Sequence, residues 1–205
     1  MNNLPCSVRT EPDCYDCNLQ KRLMCRFEQH DTLHFFMLAL PFFVTTIGGM
    51  VLTGYGWYLL GWLAFAIFFF FGWEARVLCS HCPYWAEPSK VLHCHANYGV
   101  IKIWKYRPGP MSKAEQIQFV IGALLLILYP ILFLFVGEAY LLASIAAVSA
   151  ISWAYLMRRN VCNRCINFSC PMNAVPQTDV EAYLRRNPIM QKAWKQKMKV
   201  SKPEN

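Results

Sequence analysis

Four runs of apolar residues, each long enough to cross a bilayer, leave this chain of 205 residues little choice of architecture. They are His34 to Thr53, Trp57 to Trp73, Phe119 to Val136 and Ala139 to Leu156. A membrane-crossing helix needs about 20 consecutive apolar residues, and the second and fourth runs lie at the short end of the tolerated range. Within each pair the connection is only a turn, Gly54-Tyr55-Gly56 in the first and Gly137-Glu138 in the second. The expected fold is an all-α integral membrane protein with four transmembrane helices arranged as two hairpins. It divides into an N-terminal segment (1–33), a first hairpin (34–73), a Cys/His loop (74–116), a second hairpin (117–157) and a Cys-rich tail (158–205). Residues Cys6 to Asp31 are polar and no small-residue cleavage site follows the first run, so the beginning of the chain does not read as a secretory signal. No span has a charged residue near its middle, which argues against an ion pump or transporter.

The cations orient these spans. All 20 Lys and Arg fall before the first helix, between the hairpins or after the fourth helix, and neither hairpin turn carries one. The positive-inside rule then puts both termini and the central loop in the cytoplasm of a cell (inner) membrane. A net charge of +8 distributed in this way lines a membrane face. It calls for the lipid bilayer as partner, not nucleic acid.

Ten cysteines lie in three groups, each next to the polar end of a span and each containing a Cys-x-x-Cys pair. Cytoplasmic thiols are kept reduced, so clustered cysteines there point to metal before disulfides. The N-terminal group, Cys6, Cys14, Cys17 and Cys25, offers four thiols, enough for a tetrahedral zinc or a four-iron four-sulfur (4Fe-4S) cluster. The central group, Cys79, Cys82 and Cys94, has three thiols and the neighbouring imidazoles of His81, His93 and His95. The third is Cys162, Cys165 and Cys170. Pro83 and Pro171 each follow a cysteine directly, a habit of iron–sulfur binding runs, with zinc in a Cys3His set as the competitor. The central and third groups each lack a fourth thiolate. Two such groups facing each other can share ligands, as two-cluster ferredoxins do, or take a His or solvent ligand.

The strings Ala75-Arg76-Val77-Leu78-Cys79-Ser80-His81-Cys82-Pro83 and Arg159-Asn160-Val161-Cys162 through Cys170-Pro171, each after the second helix of a hairpin, resemble the layout of NapH/CcoG-type membrane ferredoxins. The resemblance implies helices carrying cytoplasmic Cys-Pro motifs at their ends and electron exchange between the quinone pool and redox partners. The family's Cys-x3-Cys-Pro spacing is Cys-x2-Cys-Pro here, and its separate ferredoxin run is absent. Cluster type and number therefore stay open.

Other segments carry local expectations. Val100 to Tyr106 alternates apolar and cationic residues and suits a short strand or interfacial ribbon with Trp and Tyr at headgroup depth and Lys snorkelling. Ser112 with Glu115, and Thr178 with Glu181, read as capping boxes, and Pro188 divides the tail into two helices. The last, Ile189 to Val200, is basic and amphipathic, suited to anionic lipid or an acidic partner. His30 and His34 share a helix face, at the spacing of a metal or haem pair.

Two function classes follow. One is a membrane-anchored iron–sulfur electron-transfer protein, an oxidoreductase subunit linking a cytoplasmic redox partner to the quinone pool or to a larger membrane complex. The other is a zinc-stapled scaffold or assembly subunit, with a redox or oxygen sensor between the two. No nucleophile–base pair or phosphate loop names another chemistry, so no catalytic residue is assigned.

Overall fold

The computed structural model describes residues 4–8 and 17–200, with side chains as far as residue 197. Four of its helices are long and apolar enough to cross a membrane: Gln29–Leu52, Tyr58–His81, Lys113–Val136 and Tyr140–Cys162. All four run past the apolar residues that announce them. The first, α1 (Gln29–Leu52), begins in polar sequence with Asp31 in its first turn, where a negative charge favours the helix N-terminus. The second begins as α2 (Tyr58–Ile67), widens to a π-helix over Phe68–Glu74 and closes with one α turn, α3 (Ala75–Val77). After α4 (Lys113–Val136), α5 (Tyr140–Met157) ends the same way, passing into a π-helix over Arg158–Cys162. Such π-helical turns within helices are frequent at functional sites. Here both lead into a Cys-x-x-Cys pair.

The connections are turns. Gly54, at φ +82°, reverses the chain between α1 and α2, and Glu138 does so at φ +58° between α4 and α5. Two glycines let the helices close up. A Cβ on Gly49 of α1 would stand 2.5 Å from Leu134 of α4, and one on Gly122 of α4 would stand 2.2 Å from the Phe69 ring in the first π-helix. Between these contacts lies a core of Phe42, Met50, Trp62, Leu134, Ala143 and Ala146, with the Trp62 indole N–H donating to the Leu126 carbonyl at 2.8 Å. Leu52, Ile67, Leu132 and Ile151 point outward from the bundle and are well exposed. So much contiguous outward apolar surface is foreign to a water-soluble monomer and suits lipid.

The cysteine-bearing end is covered by a cap built from the N-terminal segment, the loop between α3 and α4, and two short helices, α6 (Gln177–Arg186) and α7 (Pro188–Val200). Local expectations fare differently here. The capping box at Ser112 forms in full, its hydroxyl accepting from the Glu115 N–H at 3.2 Å while the Ser112 N–H donates to the Glu115 carboxylate at 2.7 Å. The one at Thr178 does not. Helix α6 starts earlier, after Pro176, so Thr178 lies inside it, and the Glu181 carboxylate accepts from the Gln177 side chain at 3.4 Å.

Among the described residues no strand forms, and the ribbon is reduced to one antiparallel bridge, Val91 with Ile101. Ile101 and Ile103 point outward, while Lys102, expected to snorkel, is drawn in to donate to the carbonyls of Glu87 at 2.9 Å and Tyr84 at 3.4 Å. Trp104 is pinned to the end of the second span, its indole donating to the Gly72 carbonyl and its ring lying under the Arg76 guanidinium at 5.2 Å. Helix α7 likewise uses its apolar face on protein. Met190 is fully buried, and Trp194 and Lys197 bond the carbonyls of Pro108 and Pro110. Lys192 and Lys195 remain outward.

Candidate thiol centre

Both Cys-x-x-Cys pairs at the span ends grow out of helix. Cys79 lies in a 3-10 turn running directly on from α3, where the Cys82 N–H closes on the Cys79 carbonyl at 2.9 Å, and Pro83 opens the next turn, which holds buried Tyr84 and Trp85. Cys162 is the last residue of the second π-helix, and the Ala174 N–H returns to its carbonyl at 3.0 Å, folding residues 163–173 into a closed loop around Cys165 and Cys170. Asn173 braces that loop by donating to the carbonyls of Cys165 at 2.8 Å and Asn167 at 3.1 Å. Buried Asn167 reaches toward the Leu78 carbonyl at 3.5 Å, beside Cys79. The central and third groups, far apart in sequence, thus meet.

The thiols themselves report that meeting. Burial pushes Cys82 well above the usual thiol range, and negative charge on Cys94 and Cys165 pushes it further. Burial does the same to Cys165, again aided by Cys94 and then by Cys170 and Cys162. Cys170 is raised by burial to about 12. Thiolates are the metal-binding form, so each of these sulfurs is neutral until a cation offsets the cost of charging it in a buried place.

A regular backbone pattern accompanies them. The backbone N–H two residues after each cysteine favours its thiolate: Tyr84 for Cys82, Ala96 for Cys94, Asn167 for Cys165 and Met172 for Cys170. Cys94 receives two more, from His95 and Asn97, and Cys170 one more, from Asn173. For Cys165 the Asn167 N–H lies 3.5 Å from the sulfur. Side chains add to the set, since the Asn97 amide donates to Cys79 Sγ at 3.2 Å. Donors aimed at sulfur favour the anionic form and are a recognised means of tuning cysteine-bound clusters.

Two of the three imidazoles beside the thiols have other partners. His81 Nδ1 is 2.6 Å from the Gly109 carbonyl and its Nε2 is 3.6 Å from Glu115. His93 bonds Glu87 at 2.7 Å and forms a three-ring cluster with Phe27 and Tyr98. His95 is buried beside Cys94, its basicity lowered by burial with Asp31 opposing. His30 is exposed between Glu28 and Asp31, and His34 is also exposed.

Of the N-terminal group, Cys14 lies outside the described residues, and Cys6, Cys17 and Cys25 belong to one cluster of the cap. Cys6 is held far along the chain by Asn187, whose side chain accepts from the Cys6 N–H at 2.6 Å and donates to its sulfur at 3.4 Å. Cys25 is buried, while Cys17 packs at the edge of the same cluster. No disulfide joins the described cysteines. Nor, among the described residues, do three Cys, His, Asp or Glu side chains converge tightly enough to hold one metal ion. A tetrahedral zinc with bonds of about 2.3 Å needs its sulfurs roughly 4 Å apart.

Several members of this centre carry no sequence signal of their own. Glu74, the last residue of the first π-helix, is buried within electrostatic reach of Cys94 and Cys170. An acid directly after the apolar run was the only hint of it. Tyr84, Asn97 and Asn167 show their roles only once the loops are folded. Comparison with protein-family models, curated proteins and solved structures finds no match to this chain.

Proposed function

We propose that this protein is a membrane-anchored iron–sulfur electron carrier, exchanging electrons between a cytoplasmic redox partner and the quinone pool or a membrane redox complex. The observation that carries it is the meeting of two distant segments, with the Asn167 side chain reaching the Leu78 carbonyl at 3.5 Å and the thiols of Cys82, Cys94, Cys165 and Cys170 within electrostatic reach of one another. Cys82, Cys94, Cys165 and Cys170, with Cys79 and Cys162 at the helix ends, are the residues that would hold the group. A 4Fe-4S cluster there supplies one-electron redox chemistry. The chain's own part is to exclude water from the sulfurs, to favour their anionic form with N–H donors, and to keep them at the end of helices whose outer faces suit lipid, within reach of a lipid-dissolved quinone. The cationic end of the bundle faces the cytoplasm by the positive-inside rule.

Anaerobically purified protein is expected to contain iron and sulfide, to show broad visible absorbance that bleaches with dithionite, and to give an electron spin resonance signal in one oxidation state. Stoichiometric zinc without iron overturns this reading in favour of a metal-stapled scaffold. Reducible iron that exchanges no electrons with quinone analogues points to a redox sensor.

A further inference from the structure

We infer that Cys25 joins Cys82, Cys94 and Cys165 as the fourth thiol of a single site, built from all three cysteine groups and suited to one four-iron cluster. The inference deepens the function proposed above and rests on it for the identity of the metal. Its geometry rests on Met24. The Met24 N–H donates to the Arg164 carbonyl at 2.8 Å, one residue before Cys165. The Met24 carbonyl accepts the Tyr84 hydroxyl, two residues after Cys82. Cys25 follows directly, buried in the same cluster as Cys82, Tyr84 and Ile166, with Cys94 packed against it.

Tyr84 serves as a common neighbour. Its hydroxyl donates to the Met24 carbonyl, and it lies in one buried cluster with Cys25 and Cys82, with Cys94 packed against it. Of the remaining thiols, Cys79 accepts from the Asn97 amide at 3.2 Å. Sequence grouping is thereby crossed. The N-terminal cysteines are not a closed set of four, because Cys6 is anchored on Asn187 and Cys25 between the two Cys-x-x-Cys loops.

Two measurements on the full-length protein test this. In the first, metal-free protein in detergent is oxidised with diamide and its cross-links are mapped by mass spectrometry. The expected product joins Cys25 to Cys82, Cys94 or Cys165; Cys25 joined only to Cys6, Cys14 or Cys17 overturns the grouping. In the second, iron is measured in anaerobically purified variants. Cys25→Ser is expected to lose as much iron as Cys82→Ser, whereas Cys6→Ser and Cys17→Ser keep the wild-type amount. Wild-type iron and an unchanged spin signal in Cys25→Ser overturn the inference. The cross-link needs no metal, so the two readings fail separately: iron-free wild-type protein that still forms the Cys25 cross-link removes the electron carrier and supports the four-thiol grouping.

Discussion

The two span ends that carry cysteine pairs are built alike and placed differently. Each passes from α-helix through a π-helical stretch into Cys-x-x-Cys, and each has an arginine three residues before its first cysteine, Arg76 and Arg159. At the end of the second span everything from Val77 to Trp85 is buried. At the end of the fourth, Arg158 to Asn160, Asn163 and Arg164 are exposed, and Cys162 is only half-buried. The same local design thus makes an inner wall in one place and a rim in the other. What covers the turn differs: the Arg107–Met111 segment bonds the first at Ser80 and His81, whereas the second is met by the N-terminal segment at the Arg164 carbonyl and keeps its arginines exposed.

Four comparisons test that asymmetry, the largest effect first. Replacing Cys82 by Ser should remove more than half of the bound metal and loosen the cap, while Cys162→Ser, at the rim, should keep about half or more of it. Metal analysis of both variants checks this, and equal losses would break the inner-wall and rim distinction. In metal-free protein Cys162 should react with iodoacetamide at least roughly tenfold faster than Cys82, whose thiol is both enclosed and held neutral by burial. Mass-spectrometric labelling rates measure this directly.

The third comparison concerns clamps. Arg107 ties the first end to the start of α4: its side chain bonds the Ser80 hydroxyl at 3.1 Å, Glu115 at 2.5 Å and the Arg76 carbonyl. Arg107→Ala should cost about 2 kcal/mol, since bonds to a charged group are lost together. Arg164→Ala, at the exposed end, should change stability by less than about 0.5 kcal/mol. Thermal unfolding in detergent compares the two. The smallest effect is expected in the turns. Gly54→Ala should lose about 1 kcal/mol because alanine resists a positive φ, whereas Glu138→Gly should gain a few tenths of a kcal/mol by relieving that strain.

What the sequence made legible is what depends on composition and short-range spacing. Four spans follow from apolar runs, the two turns from Gly54 and Gly137-Glu138, and the opening of α4 from Ser112 with Glu115. Contacts that join distant segments were out of reach. Lys102 turns inward because the carbonyls of Glu87 and Tyr84 lie there, and the face of α7 is covered because the turn at Pro108 meets Trp194. His81 and His93 looked like ligands by proximity in sequence, yet carbonyl and carboxylate partners hold them. The π-helices have no compositional mark at all. In the centre, the proximity of the central and third groups was readable from the span layout. The position of Cys25 was not, since it depends on one hydrogen bond between Met24 and Arg164.

That hydrogen bond also sets a timetable. Met24 and Arg164 are separated by about 140 residues, and a ribosome adding roughly 5–20 residues per second needs on the order of 10–30 s to make the second after the first. Throughout that interval the early thiols are without their late companions. Closing so long a loop has an entropic cost, which the prior insertion of the intervening spans lowers by bringing their ends together. Maturation of the cap is therefore a late, post-insertion event. Chains stalled before Cys165 should accumulate with their N-terminal cysteines open to oxidants and chaperones.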